Sequence, residues 1–168
     1  MIIGSLPFTI STPGNYTLAD NLTTAGHGIT VNCDDVLIDL AGYTITGPAD
    51  PATQTYGINA FNHERITIRN GGLRGFMYAV YLSDLIDSVR PNGSLNGGGH
   101  VIEQLNIIGA KFRGIRAEGN GNIIRDNIIR EIGGCTFYAN AYSFGIESFG
   151  PGAIIERNRI YEVRGYGI

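Results

Sequence analysis

The sequence predicts an all-β protein, a parallel β-solenoid of about six coils, and three observations carry that prediction. The opening Gly114-Ile115-Arg116-Ala117 recurs as Gly28-Ile29-Thr30-Val31, Gly57-Ile58-Asn59-Ala60, Ala79-Val80-Tyr81-Leu82 and Gly145-Ile146-Glu147-Ser148, and Gly167-Ile168 starts another copy. A second segment, Ile124-Arg125-Asp126-Asn127-Ile128-Ile129, recurs at 68–73, 102–107 and 155–160, each time with an apolar residue five places after the first. The spacing is regular: Gly57 to Ala79 and Gly145 to Gly167 are both 22 residues, and the other intervals read as that repeat with insertions of 7, 13 and 9 residues. Short β-type segments separated by Gly and Asn cannot bury their apolar side chains alone. Such units stack, and like strands then pair in parallel at about 4.8 Å.

Taken in order, residues 1–6 are too short for a capping helix, and 7–27 form a first coil turning at Pro13-Gly14-Asn15. Later coils begin near Gly28, Gly57, Ala79, Gly114 and Gly145. Alternation along the first strand sends Ile29, Ile58, Val80, Ile115 and Ile146 inward. On the second strand Ile68, Ile102, Ile124 and Ile155 form another inward column. Three residues further, Asn127 and Asn158 share one column at a bend, where stacked amides bonded to each other and to turn backbone are expected. Just after the inward isoleucines come Arg69, Glu103, Arg125 and Glu156, a column of alternating sign. Opposite charges on paired strands contribute about 0.2–1 kcal/mol each, so this column is expected to be structural.

Three insertions interrupt the repeat. The Pro-containing loop 47–56 reads as a plain connection between coils. Residues 84–100 carry Pro91-Asn92-Gly93 and Gly97-Gly98-Gly99, and 133–144 carry Phe137, Tyr138, Tyr142 and Phe144. Insertions in solenoids map to loops and often border a binding face.

The repeat, together with Phe8-Thr9-Ile10, the segment from Pro13 to Leu18 and the run from Val36 to Ile45, resembles the right-handed, single-stranded parallel β-helix of pectate-lyase-like proteins. The resemblance covers nearly the whole chain and implies a fold rather than an activity, because function sits in sites grafted on folds. It implies one domain over 1–168 that lacks its closing coil after Ile168, and an extracellular, cell-surface or virion-surface setting. It also implies calcium held by clustered acidic side chains. The residues themselves supply no metal cluster, since Asp34 and Asp35 are the only adjacent acidic pair and precede a strand, where they serve a turn. The composition agrees with a turn-rich β protein, with 25 Gly, no Trp and 16% charged residues.

Other function classes are disfavoured by composition. A net charge of −3 gives no general attraction to nucleic acid or to an anionic membrane. No apolar run reaches membrane-spanning length, and Met1 to Leu6 lacks the features of a signal peptide. Cys33 and Cys135 fall about three coils apart, on the order of 14 Å, too far for a disulfide. Gly26-His27-Gly28 and Asp34-Asp35 are similar to polygalacturonase signatures, but the order is reversed and no Arg-x-Lys follows. Gly97-Gly98-Gly99 lacks the Lys-Ser/Thr ending of a phosphate loop. His63 and His100 sit singly on loops.

The outward side of the first strand differs from the charge ladder. Tyr81, Arg116, Glu118, Glu147 and Phe149 are expected on one face beside the 84–100 insertion, with Glu118 and Glu147 diagonal and about 8 Å apart at their Cα atoms. Two carboxyls at such a distance can fall within glycosidase range, with Arg116 neutralising charge or holding a sugar acid, and Tyr81 and Phe149 offering rings to a sugar. The same residues also read as a cross-strand Arg116–Glu147 ion pair beside a solvated Glu118. Three functions follow. One is a face that binds or cleaves a polysaccharide, with Arg116, Glu118 and Glu147 catalytic and Tyr81 and Phe149 holding substrate. The second is a structural or adhesin module resembling phage tailspikes. The third is a β-helix fragment without activity. A homo-oligomer is expected, trimeric, end to end, or through Phe137, Tyr138 and Tyr142.

Overall fold

A computed structural model describes residues 1–83, 97–139 and 142–168. Among these residues all regular structure is β, with no helix, in one eleven-stranded and one seven-stranded sheet. The seven-stranded sheet runs in the order Phe8–Ile10, Ile29–Val31, Tyr56–Phe61, Tyr78–Ser83, Arg113–Glu118, Ser143–Phe149 and Gly165–Tyr166, each strand parallel to the next. Between consecutive members the chain crosses to the eleven-stranded sheet and returns. That sheet holds Val36–Asp39, Ile66–Arg74, Val101–Ile108, Ile123–Arg125 and Ile154–Glu156 in successive parallel pairing.

The registers match the sequence columns. Ile29, Ile58, Val80, Ile115 and Ile146 are directly paired neighbours, each without exposed surface. Ile68, Ile102 and Ile124 are equally buried in their own column, and Ile155, at its end, is half-buried. β-Branched side chains suit this placement because their restricted χ1 fits the pleated surface. Ala79 stands before Val80, but the glycine before each of the other inward residues has a steric cause. A Cβ at Gly57 would lie 2.5 Å from the Ala79 carbonyl oxygen, and one at Gly114 equally close to that of Gly145. Real Cβ atoms do not approach backbone so closely, so the neighbouring strand requires a bare Cα there.

The bends recur as regularly as the strands. Two residues after the second-column isoleucines stand Asn70, Gln104, Asp126 and Arg157, all left-handed with φ of 60°, 55°, 57° and 53°. One left-handed residue turns the chain sharply while leaving parallel pairing intact on both sides. Asn and Asp suit the conformation; Gln104 and Arg157 adopt it because the neighbouring coils fix the bend. A second left-handed corner is formed by Gly75, Gly109, Glu131 and Glu162.

The asparagine column follows the first corner. Asn127 is 1% exposed; its Nδ2 donates to Asn158 Oδ1 at 2.9 Å and to the Ile102 carbonyl at 3.0 Å, and its Oδ1 accepts from the Leu105 N–H at 2.9 Å. Asn158 is half-buried and donates to the Ile124 carbonyl. Asn122, fully buried, fills the same role at the preceding corner, accepting from the His100 N–H and donating to the Gly119 carbonyl. Asn127→Ala leaves the Leu105 N–H and Ile102 carbonyl without partners inside the protein. A loss of about 1–3 kcal/mol is expected, read as a lowered urea midpoint with an unchanged slope.

The charge column is split into pairs. Arg125 binds Glu103 at 2.8 Å, Arg69 reaches the other way to Asp39 at 3.0 Å, and Glu156 turns to Arg157. Asp39 is partly desolvated, yet the Ala41 N–H, Asn70 and Arg69 hold its carboxyl below the usual range. Cys33 and Cys135 are free thiols, each half-buried. The loop 47–56, expected to be a plain connection, instead packs on another insertion. The Pro51 carbonyl accepts from the Thr136 and Phe137 N–H groups, and Gln54 Nε2 donates to the Tyr138 hydroxyl at 2.7 Å. Contacts between two aperiodic loops leave no trace in a repeat pattern.

Candidate functional site

The outward side of the seven-stranded sheet carries three columns, set by the register of its strands. The middle column reads Thr30, Asn59, Tyr81, Arg116 and Glu147, and the next reads Phe61 paired with Ser83, then Glu118 paired with Phe149. The structure therefore brings together all five residues singled out in the sequence. The third column lies before the coil-opening glycines and runs Tyr56, Tyr78, Arg113, Phe144 and Tyr166. Its members are all aromatic or cationic, and they are legible as the residue preceding each repeat.

Arg113 changes the chemistry of the group. Its Nε and Nη2 bind Glu147 Oε2 and Oε1 at 2.8 and 3.2 Å, and its Nη1 donates to the Tyr142 carbonyl at 2.7 Å. Arg116 Nη1 reaches the same Glu147 Oε2 at 2.9 Å, while its Nε donates to Glu118 Oε1 at 2.7 Å. Glu118 Oε2 accepts from the Ser83 hydroxyl at 2.9 Å. Both carboxylates thus have every oxygen engaged. Rings sandwich the cations: the Arg113 guanidinium lies 3.5 Å from the Phe112 ring centre and 4.5 Å from that of Phe144, and Arg116 lies 4.9 Å from Phe149 and 5.4 Å from Tyr81. Burial works against the charge of Arg116, but Glu118 and Glu147 outweigh it and raise its pKa.

The expected solvated Glu118 is corrected here, because it is only 4% exposed. The expected Arg116–Glu147 pair is present, as one link of a four-residue chain, Arg113–Glu147–Arg116–Glu118. Of the insertion expected to wall this face, 84–100, residues 84–96 lie outside the described residues. A hollow of about 350 Å³, lined by Phe144, Glu147, Phe149 and Ile168 among others, opens at the last coil beside one of the two carboxylates.

Beside the ionic chain lies a continuous aromatic surface. Tyr78 and Tyr81 stack at 4.8 Å and 15°, Tyr56 lies 5.4 Å from Tyr78 and 5.5 Å from Tyr81, and Phe61 stands edge-on to Tyr81 at 5.4 Å. His27 stacks on Tyr56 at 5.1 Å and extends the row by one coil. Phe61 keeps 45% of its surface exposed, whereas Tyr78 is buried under its neighbours. Burial, with Tyr138 and Tyr81 nearby, pushes the Tyr56 hydroxyl up to about 12, so that ring is neutral across the physiological range.

The acidic pair is engaged by neighbouring side chains and backbone. Asp34 Oδ1 meets His63 Nδ1 and the Glu64 N–H, both at 3.1 Å, and Asp35 is held by Arg65 at 2.6 and 3.0 Å. No group of three or more His, Cys, Asp or Glu among the described residues is placed to hold a metal ion. Comparison with protein-family models, with curated proteins and with solved structures finds no match for this chain.

Proposed function

We propose that the chain is a right-handed, single-stranded parallel β-helix whose seven-stranded sheet carries a carbohydrate-binding face. The helix reading is supported by strands that alternate between two parallel sheets in chain order and by left-handed corners that recur once per circuit. The observation that carries the binding reading is the row of Tyr56, Phe61 and Tyr81, packed on the buried Tyr78 on one parallel sheet, with Phe61 exposed. A sugar ring presents C–H groups on its face, and aromatic rings offer them an apolar, electron-rich partner at low conformational cost. Successive rings along the sheet suit an extended chain of sugars rather than a single one.

Binding fits the geometry better than cleavage. A glycosidase needs one carboxyl to donate a proton and a second to attack or activate water. In this chain Glu118 and Glu147 are held at all four oxygens by Arg113, Arg116 and Ser83. Arg116, Glu118 and Glu147 are therefore read as the support of the face, with Tyr81 and Phe149 in contact with sugar. The engaged ion chain also suits a structural module, the second reading, in which the aromatic row only seals the sheet.

A polysaccharide panel separates the readings by calorimetry and reducing-end release. Binding without release is expected, and Tyr81→Ala should lower affinity about tenfold, equivalent to about 1.4 kcal/mol. Binding that survives Tyr81→Ala and Phe61→Ala unchanged would move the site elsewhere. No binding across the panel would leave the structural reading, and newly formed reducing ends would restore the catalytic one.

A further inference from the structure

A second concavity lies outside the aromatic face and uses none of its residues. It is a cleft of about 570 Å³ lined by Pro51, Gly109, Lys111, Gly133, Gly134 and Arg164, among others. It adjoins a hollow of about 250 Å³ that shares Lys111 and adds Arg74. The combined space falls within the ~300–1,000 Å³ usual for ligand pockets. One wall is the pair of insertions tied together by the Thr136 and Phe137 N–H groups on the Pro51 carbonyl.

Its charge is organised. Lys111, the only lysine of the chain, is half-buried. Lys111, Arg74 and Arg164 have no carboxylate partner among the described residues, whereas most other arginines of the chain are ion-paired. Of the two acidic residues in the cleft, Glu131 is taken by Arg130, outside it, and Glu162 is exposed at a corner. The stem of Arg164 lies along Gly133, where a Cβ would come within 2.7 Å of the Arg164 Cβ and 3.0 Å of its Cγ and Cδ. Gly133 has φ of 135°, so both its backbone and its missing side chain leave the path for that arginine. Lys111 and Arg164 thus line the cleft and Arg74 the adjoining hollow, and these three cations outnumber the two acidic residues there.

We propose that this cleft binds the anionic group of an acidic saccharide, a carboxylate or a sulfate ester, with Lys111 and Arg164 as its principal donors. Arg164 presents a planar fork that matches either oxyanion, and Lys111 supplies a compact, hydrated charge. The net charge of −3 disfavours a general polyanion surface, so the attraction is local to the cleft. The anion site uses no residue of the aromatic face, while the choice of a saccharide as the carrier of the anion rests on the proposed function.

The single lysine makes the test direct. The intact chain is acetylated with an amine-reactive reagent, alone or with an oligouronate, a sulfated oligosaccharide or a neutral oligosaccharide, and Lys111 and the Met1 amine are followed separately by mass spectrometry. The expected result is a several-fold slowing at Lys111 with an anionic oligomer and none with the neutral one, reversed by added salt. Protection by the uronate alone assigns a carboxylate, by the sulfated oligomer alone a sulfate, and by both a site for either oxyanion. Arg164→Gln should abolish the protection while leaving the melting temperature unchanged. The proposal is overturned by unchanged labelling of Lys111, by equal protection from the neutral oligomer, by equal slowing at Met1, or by protection that survives Arg164→Gln.

Discussion

Ile115→Ala is expected to destabilise the protein by about 2–5 kcal/mol, among the largest effects available from one apolar substitution. Ile115 has no exposed surface, and its register neighbours Val80 and Ile146 have none either. Removing three carbons leaves a void whose walls belong to the coils above and below. Those coils cannot move together to fill it, because backbone hydrogen bonds hold the parallel strands at their spacing. The cost therefore includes most of the cavity term as well as the lost burial. Ile155 provides the comparison: it belongs to the other column and is half-buried, so Ile155→Ala should cost clearly less. Urea unfolding followed by circular dichroism measures both. A loss at Ile115 no larger than that at Ile155 would mean that the coils relax around the gap.

The sequence columns and the structure agree where the physics is periodic. The inward isoleucines, the coil-opening glycines and Asn127 repeat because each coil presents the same environment to its neighbour, so their spacing is enough to place them. The five outward residues are also placed correctly, since alternation decides which side a strand residue faces. Their burial is not legible. Glu118 looks solvated because alternation turns it outward, yet Ser83 and Arg116 hold its carboxylate and Phe149 stands beside it on the next strand. Arg113 escapes a repeat counted from the glycine, although the residues preceding each opening, His27, Tyr56, Tyr78, Arg113, Phe144 and Tyr166, already form an aromatic and cationic series. The contact of Pro51 with Thr136 and Phe137 has no periodic signal, and only the folded coils bring those insertions side by side.

The binding reading follows from that burial. Had Glu118 and Glu147 been open, the same five residues would favour cleavage. With their oxygens engaged, the face keeps its rings as the groups free to meet a ligand. Under the proposed binding, the stacked strands would offer an extended saccharide a row of contacts at their own interval.

Arg113→Met is expected to lower stability by about 3 kcal/mol, because it breaks a largely buried pair from one side. The side chains of Arg113 and Glu147 are only 8% and 11% exposed. The substitution removes both bonds to Glu147, the bond to the Tyr142 carbonyl at 2.7 Å, and the charge 3.5 Å from the Phe112 ring. Glu147 keeps Arg116 at 2.9 Å, which places the loss at the low end of the range for a stranded buried charge. The double variant Arg113→Met, Glu147→Leu removes both charges and leaves Arg116 with Glu118. It should recover most of the loss, since matched apolar groups replace a buried pair at little cost. Urea unfolding of the wild type, both single variants and the double variant gives the coupling directly. A loss under about 1 kcal/mol for Arg113→Met would put the pair in the class of exposed ion pairs and deny it a role in supporting the face. If the double variant regains stability and still binds saccharide while Tyr81→Ala does not bind, the ionic chain is foundation and the rings are the binding surface.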